Sequence, residues 1–194
     1  SVRYGARVRL VGRVTDAYGD GRSSVPVEVY ERLAMPGVAW RRVTVLTTAR
    51  NGSFTYSVPK GAARTLRFQY PGTPTTRSAT AEVNLRVRAV STLQPSRRRL
   101  TNGETMVLRG KLLGGRVPPS GKLVTLQAWT TRGWVTFGNA RARAKDGKWR
   151  YRYTFRGTTF TARYRFRAVV PKEESYPFAS GVSPVKAVIV RGSS

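Results

Sequence analysis

Apolar residues recur at every second position through most of this chain, and no segment of useful length shows the three-to-four spacing of a helix. The clearest run covers residues 139–168. There Trp149, Tyr151, Tyr153 and Phe155 share one parity while Lys148, Arg150, Arg152 and Arg156 share the other, the pattern of a strand with one buried face. Asp146-Gly147 predicts a two-residue hairpin turn, which would set Lys145 opposite Lys148, Ala144 opposite Trp149, Arg143 opposite Arg150, Ala142 opposite Tyr151 and Arg141 opposite Arg152. The inner face then pairs small residues with large ones. The outer face pairs cation with cation, at a cost of a few tenths to about 1 kcal/mol per directly opposed pair unless an anion lies there.

The pattern occurs twice. Tyr4-Gly5, Val8, Leu10 and Gly12 are echoed by Asn102-Gly103, Met106, Leu108 and Gly110, and Val27 and Val29 by Val124 and Leu126. Trp40 with Val43 is echoed by Trp134 with Phe137, and Asn51-Gly52-Ser53-Phe54 by Asp146-Gly147-Lys148-Trp149. Leu66 and Phe68 match Tyr164 and Phe166, and the copies close on Val83, Leu85, Val87 and on Val185, Ala187, Ile189. Such an ordered set of markers indicates a repeated module. Each copy offers six or seven short strands divided by turn-forming clusters, so the expected fold is all-β: two tandem antiparallel immunoglobulin-like sandwiches, residues 1–90 and 91–194. Val90 to Thr101, broken by Gln94-Pro95-Ser96, is the expected linker. Trp40 and Trp134, at equivalent places, are expected in the two cores.

At this point the residues carry a resemblance. The order YGxxVxLxG, a Trp, NGxF or DGxW, and an alternating aromatic strand resembles the immunoglobulin-like repeats of carboxypeptidase-regulatory type in secreted and surface proteins of high-GC Gram-positive bacteria. The resemblance implies an extracellular setting and a structural or adhesive role. Some related surface repeats carry a Lys-to-Asn crosslink. Here the first copy has only Lys60, and the closing strand of the second has no Asn or Asp, so that crosslink is not expected.

Charge sharpens the picture. Thirty-six basic residues against nine acidic ones give a formal net charge of +27, which favours polyanionic partners. High-GC coding is a competing explanation for the arginines. The repeat tests it: residues 1–90 carry +10 and residues 91–194 carry +17. In the hairpin register, copy one sets Arg50, Thr48 and Leu46 opposite Ser53, Thr55 and Ser57, a single arginine where copy two has six cations. The next strand contrasts Thr65, Arg67 and Gln69 with Arg163, Arg165 and Arg167. The expected anion-binding residues are therefore Arg141, Arg143, Arg150, Arg152, Arg163, Arg165 and Arg167, because a guanidinium fork can donate two bonds to one phosphate or carboxylate. The interleaved aromatics point inward, which disfavours the stacking platform of single-strand nucleic-acid binders. A nucleic-acid backbone is a less favoured partner than an anionic cell-envelope polymer or an acidic glycan. If residues 162–168 lie in the other sheet, the patch divides between two faces.

Trp129 is out of phase with Val124, Leu126 and Ala128, and Tyr30 has a similar place in copy one. Both are expected to face outward, as sugar or partner contacts or as covers over a sandwich edge. The chain has no His or Cys, and its carboxylates have ordinary turn or strand explanations, so neither catalysis nor a cofactor nor a metal is expected. Asp16 to Gly21 partly matches a calcium loop but reads better as a turn, and Glu173-Glu174 reads as a solvated loop. The longest aliphatic run, Ala187 to Val190, is far short of a membrane span of about 20 residues. Exposed edge strands offer a route to self-association.

Overall fold

The computed structural model describes residues 1–192, and every regular element in them is a strand. The chain divides into two compact units, Ser1–Val87 and a second that begins at Arg88. Each is an immunoglobulin-like β-sandwich.

The first unit contains β1 (Val2–Arg3), β2 (Val8–Arg13), β3 (Pro26–Leu33), β4 (Arg41–Thr47), β5 (Ser53–Val58), β6 (Arg64–Tyr70) and β7 (Ala79–Leu85), and β8 (Val87–Arg88) crosses into the second. One layer is the pair β2-β5 and the other runs β4-β3-β6-β7. Alternation turns Val27, Val29, Tyr56, Val58, Leu66 and Phe68 into the space between them. Burying each such side chain contributes about 1.5–3 kcal/mol.

The second unit contains β9 (Val90–Ser91), β10 (Gln94–Pro95), β11 (Arg99–Thr101), β12 (Thr105–Leu113), β13 (Lys122–Thr130), β14 (Gly133–Ala142), β15 (Lys148–Thr154), β16 (Ala162–Val170), β17 (Gly181–Val182) and β18 (Lys186–Arg191). One layer is β10-β12-β15, with β9 also on β12, and the other is β11-β18-β16-β13-β14, with β17 on β16. The expected linker is thus largely strand. Residues 90–96 line the free edge of β12, where Thr92 N donates to Lys111 O and Ser96 N to Val107 O. The closing strand is also one residue out of the expected phase: Val188 and Val190 are buried, and Val185 is exposed.

The main correction concerns Asp146-Gly147. β14 pairs with β13, and β15 pairs with β12, so the turn links the two layers and does not close a hairpin. Across the turn, Arg143 N donates to Lys148 O at 3.0 Å and Gly147 N to Arg143 O at 2.8 Å. Gly147 sits at φ 69°, where a side chain would be strained. Asn51-Gly52 makes the same link in the first unit, between β4 on β3 and β5 on β2. The expected pairs of Ala144 with Trp149 and Ala142 with Tyr151 are not cross-strand partners; Tyr151 instead packs across the sandwich on Gly138, where a Cβ would lie 2.3 Å from its ring.

A β-bulge follows Val29 in one unit and Leu126 in the other, which fixes how the copies superpose. Val29 pairs with Phe68 and Leu126 with Ala168, so Leu66 and Phe68 correspond to Phe166 and Ala168, two residues on from the expected match.

Candidate functional site

β12 and β15 create the most cationic sheet face. Their register places Arg109 opposite Arg150 and Lys111 opposite Lys148, with Arg152 opposite Val107. Parity points these five cations to solvent, because Met106, Leu108, Trp149 and Tyr151 turn inward from the same two strands. Arg141 and Arg143 approach from the end of β14. Together Arg109, Arg141, Arg143, Lys148 and Arg150 line a groove of about 410 Å³ floored by Gly110 and Trp149.

The carboxylate that reaches this groove is Asp146. Arg143 Nε donates to its Oδ1 at 3.2 Å, Lys148 N donates to the same oxygen at 3.0 Å, and Lys148 Nζ lies 3.8 Å from Oδ2. The Arg143 hydrogen bond, followed by that from the Lys148 amide, holds the Asp146 carboxyl below its usual range. Among the described residues, no ion pair reaches Arg109, Lys111, Arg150 or Arg152. A fixed cluster of guanidinium and ammonium groups with so little internal compensation can accept phosphate, sulfate or carboxylate oxygens through charge-assisted hydrogen bonds.

The sequence-derived set is therefore only partly brought together. Arg141, Arg143 and Arg150 meet in the groove, and Arg152 continues its face. Arg163, Arg165 and Arg167 belong to β16 in the opposite layer and form a separate face. Arg167 is also engaged, donating from Nε to Gln127 Oε1 at 2.8 Å and lying 4.2 Å over the Trp134 ring. Arg109 escaped the sequence reading because the hairpin register gave β15 the wrong neighbour; its outward parity between Leu108 and Gly110 was the available signal. The same correction changes copy one. Ser53, Thr55 and Ser57 face Arg13, Val11 and Arg9 across β2-β5, so the equivalent face carries two arginines and not one.

Both tryptophans expected in the cores lie on outer faces. Trp40 and Val43 are three residues apart, as are Trp134 and Phe137, and on a strand that spacing sends the two side chains to opposite sides. Val43 and Phe137 take the inside. Trp40 is covered by Arg32 at 4.6 Å and Arg67 at 4.1 Å, the counterpart of Arg167 over Trp134. Trp129 does point outward, 48% exposed, with its ring edge-on to Trp134 at 5.3 Å. Tyr30 is half-buried, and its hydroxyl donates to Glu28 Oε2 at 2.8 Å, which raises the phenol above its usual value.

The other acidic candidates are engaged locally. Asp16 Oδ1 accepts from the amides of Tyr18 and Asp20, both at 3.0 Å, which makes that segment a self-closed turn. Glu173 contacts the fully buried Lys122 ammonium at 2.8 Å, so it is not a merely solvated loop residue. Among the described residues, no three His, Cys, Asp or Glu side chains group as metal ligands, and no helix is long and apolar enough to cross a membrane.

No family model matches the chain, and no curated protein matches it. Solved structures do. A chimeric titin Z1Z2-Z1Z2 tandem functionalised with a GRGDS peptide from fibronectin is similar at 15% identity and TM-score 0.31, over 100% of this chain and 94% of that one. The N-terminal four Ig domains of Dscam1 isoform 4.44 are similar at 9% identity and TM-score 0.45, over 99% of this chain and 42% of that one. A tetra-tandem repeat in the extending region of a large adhesion protein is similar at 13% identity and TM-score 0.42, over 95% of this chain and 45% of that one. This chain thus spans under half the length of the latter two.

Proposed function

We propose that this chain is a non-catalytic structural or adhesive segment of a secreted or cell-surface protein, of the carboxypeptidase-regulatory type found in high-GC Gram-positive bacteria, and that its second unit holds an anionic polymer on the β12-β15 face. The observation that carries the reading is the groove itself: five cations from β12, β15 and the end of β14, with Asp146 as their one carboxylate contact among the described residues. Like charges opposed in the Arg109–Arg150 and Lys111–Lys148 pairs reduce stability, and a polyanion laid along the groove would reverse that cost. The spacing of cations along two neighbouring strands suits a backbone-tracking contact with a phosphodiester polymer or acidic glycan of the cell envelope; Trp149 lies beneath the groove as part of the core, so base stacking has no platform there.

Retention on an immobilised polyphosphate column tests this reading. Replacing Arg109, Lys148 and Arg150 with Glu should bring elution to much lower salt, while replacing Arg163, Arg165 and Arg167 with Glu, an equal change of charge, should have the smaller effect. Equal losses from the two sets would reduce the site to net charge alone, and unchanged retention of the first variant would remove it.

A further inference from the structure

One outer sheet face is built in opposite ways in the two copies. Val29 and Leu126 precede the matching bulges, so Arg32 corresponds to Trp129, Trp40 to Trp134 and Arg67 to Arg167. In the first unit the face is closed on itself. The Arg32 and Arg67 guanidiniums lie 4.6 and 4.1 Å from the Trp40 ring centroid, and Arg67 Nε donates to Glu82 Oε1 at 2.8 Å. Glu28 takes both Arg42, at 3.1 Å, and the Tyr30 hydroxyl, at 2.8 Å. Ring, cations and carboxylates there engage one another.

The second unit replaces the covering arginine with a ring and has no carboxylate on the sheet. Trp129 is 48% exposed, its ring centroid lies 5.3 Å from that of Trp134, and the two planes meet at 70°, so the indoles form a corner. No residue of β11, β13, β14, β16, β17 or β18 is Asp or Glu. Arg167, 4.2 Å over the Trp134 ring, is held in place: its Nε donates to Gln127 Oε1 at 2.8 Å, and Gln127 Nε2 donates to Thr136 Oγ1 at 3.3 Å. β16 pairs Arg167 with Gln127 and Phe166 with Ala128, so the same register carried one step on sets the exposed Arg165 beside Trp129. Trp129 and Arg167 are then diagonal neighbours, about 7–8 Å apart in an antiparallel pair and within reach of one ligand.

We infer that the Trp129–Trp134 corner binds an acidic sugar, a pyranose that carries a carboxylate. An indole face is negative and attracts the apolar, slightly positive C–H face of a sugar ring, while guanidinium forks beside it take the carboxylate through paired, charge-assisted hydrogen bonds. The pyranose lies on Trp129, its carboxylate meets Arg165 and Arg167, and the Thr136 hydroxyl reaches a ring hydroxyl. Gln127 is a positioning residue that fixes the Arg167 fork. A bare anion would have no use for Trp129, and a neutral sugar none for the arginines. The site belongs to the layer opposite the β12-β15 groove and stands independently of that groove's ligand.

The test follows the indole N–H signals of the full chain by NMR during titration with a galacturonate tetramer and, separately, with a neutral galactose tetramer. The galacturonate tetramer should shift Trp129 and Trp134 while Trp40 and Trp149 stay in place, and the neutral tetramer should bind far more weakly. Trp129→Arg installs the first unit's residue, adding a positive charge as it removes the ring. Attraction by charge alone would then tighten binding, whereas loss of the stacking surface should weaken it on the order of tenfold or more. Trp129→Phe should retain much of the affinity. Replacing Arg109, Lys148 and Arg150 with Glu should leave the galacturonate contact at Trp129, which separates this site from the polyphosphate groove. Galacturonate that shifts Trp149 in place of Trp129 or shifts neither, a neutral tetramer that binds equally well, or a Trp129→Arg chain that binds as tightly as the wild type would each overturn the assignment.

Discussion

The same fold treats its surface charge in two ways. On β3, β4, β6 and β7 of the first unit, Glu28 pairs with Arg42 at 3.1 Å, Glu31 with Arg41 and with Arg64, and Glu82 with Arg67 at 2.8 Å, so three carboxylates engage four arginines. On β12 and β15 of the second unit, Arg109 faces Arg150 and Lys111 faces Lys148, and among the described residues Asp146 is the carboxylate at the margin. Composition enriched in arginine explains how many there are, but not why one sheet face pairs them with carboxylates and the other arrays them in opposed pairs. The first arrangement is what a structural surface requires, and the second is one whose missing counter-charges come from outside.

Converting one face into the other should produce the largest effect. A chain with Arg109→Val, Lys148→Ser, Arg150→Thr and Arg152→Ser carries the first unit's residues on the second unit's sheet. Its log–log salt slope for polyphosphate binding should fall by about 4, one unit per removed cation, in a salt titration. The same protein should be more stable by about 1 kcal/mol in urea unfolding, because opposed like charges are gone. A loss of stability would mean that the cations hold the sheet together, and the comparison would break.

Glu31→Ala probes the opposite side. Arg64 is nearly buried, and losing its carboxylate partner should cost about 3 kcal/mol, seen as an earlier unfolding transition of the first unit with polyphosphate affinity retained. Smaller still is Trp134→Ala, which removes the ring under Arg167 and should cost about 1 kcal/mol beyond its lost area without changing polyanion retention.

The smallest change sharpens the account most finely. Asp146→Asn keeps an oxygen for the Lys148 amide but releases Arg143, and should steepen the salt slope by at most about one unit. Acid should act in the same direction. The Asp146 carboxyl is held below its usual range, so its stabilising contact is complete above the unfolded-state value and is lost as pH falls through the lowered folded-state one. Retention of wild type on a polymer that stays ionised should rise over that interval, and the Asn variant should lack this contribution.

Parity was the most legible feature of the sequence. The inward path of Trp149 and Phe155, the outward arginines between them and the tandem sandwich all follow from period two. The partner of each strand did not. Asp146-Gly147 and its flanking alternation satisfy a hairpin and a link between layers equally well locally; the choice depends on the distant edges of β12 and β13 that β15 and β14 complete. That non-local choice hid Arg109 and separated Arg163, Arg165 and Arg167 from the groove. The tryptophans were misplaced for a local reason, since spacing to Val43 and Phe137 already required opposite faces.

Backbone amide shifts followed during titration with short polyphosphate address the central claim most directly, because they locate the contact as well as detecting it. The account predicts early, saturating shifts at Arg109, Gly110, Arg143 and residues 148–152, with β16 and the first unit moving little. Shifts distributed evenly over both units, or strongest along β16, would contradict it.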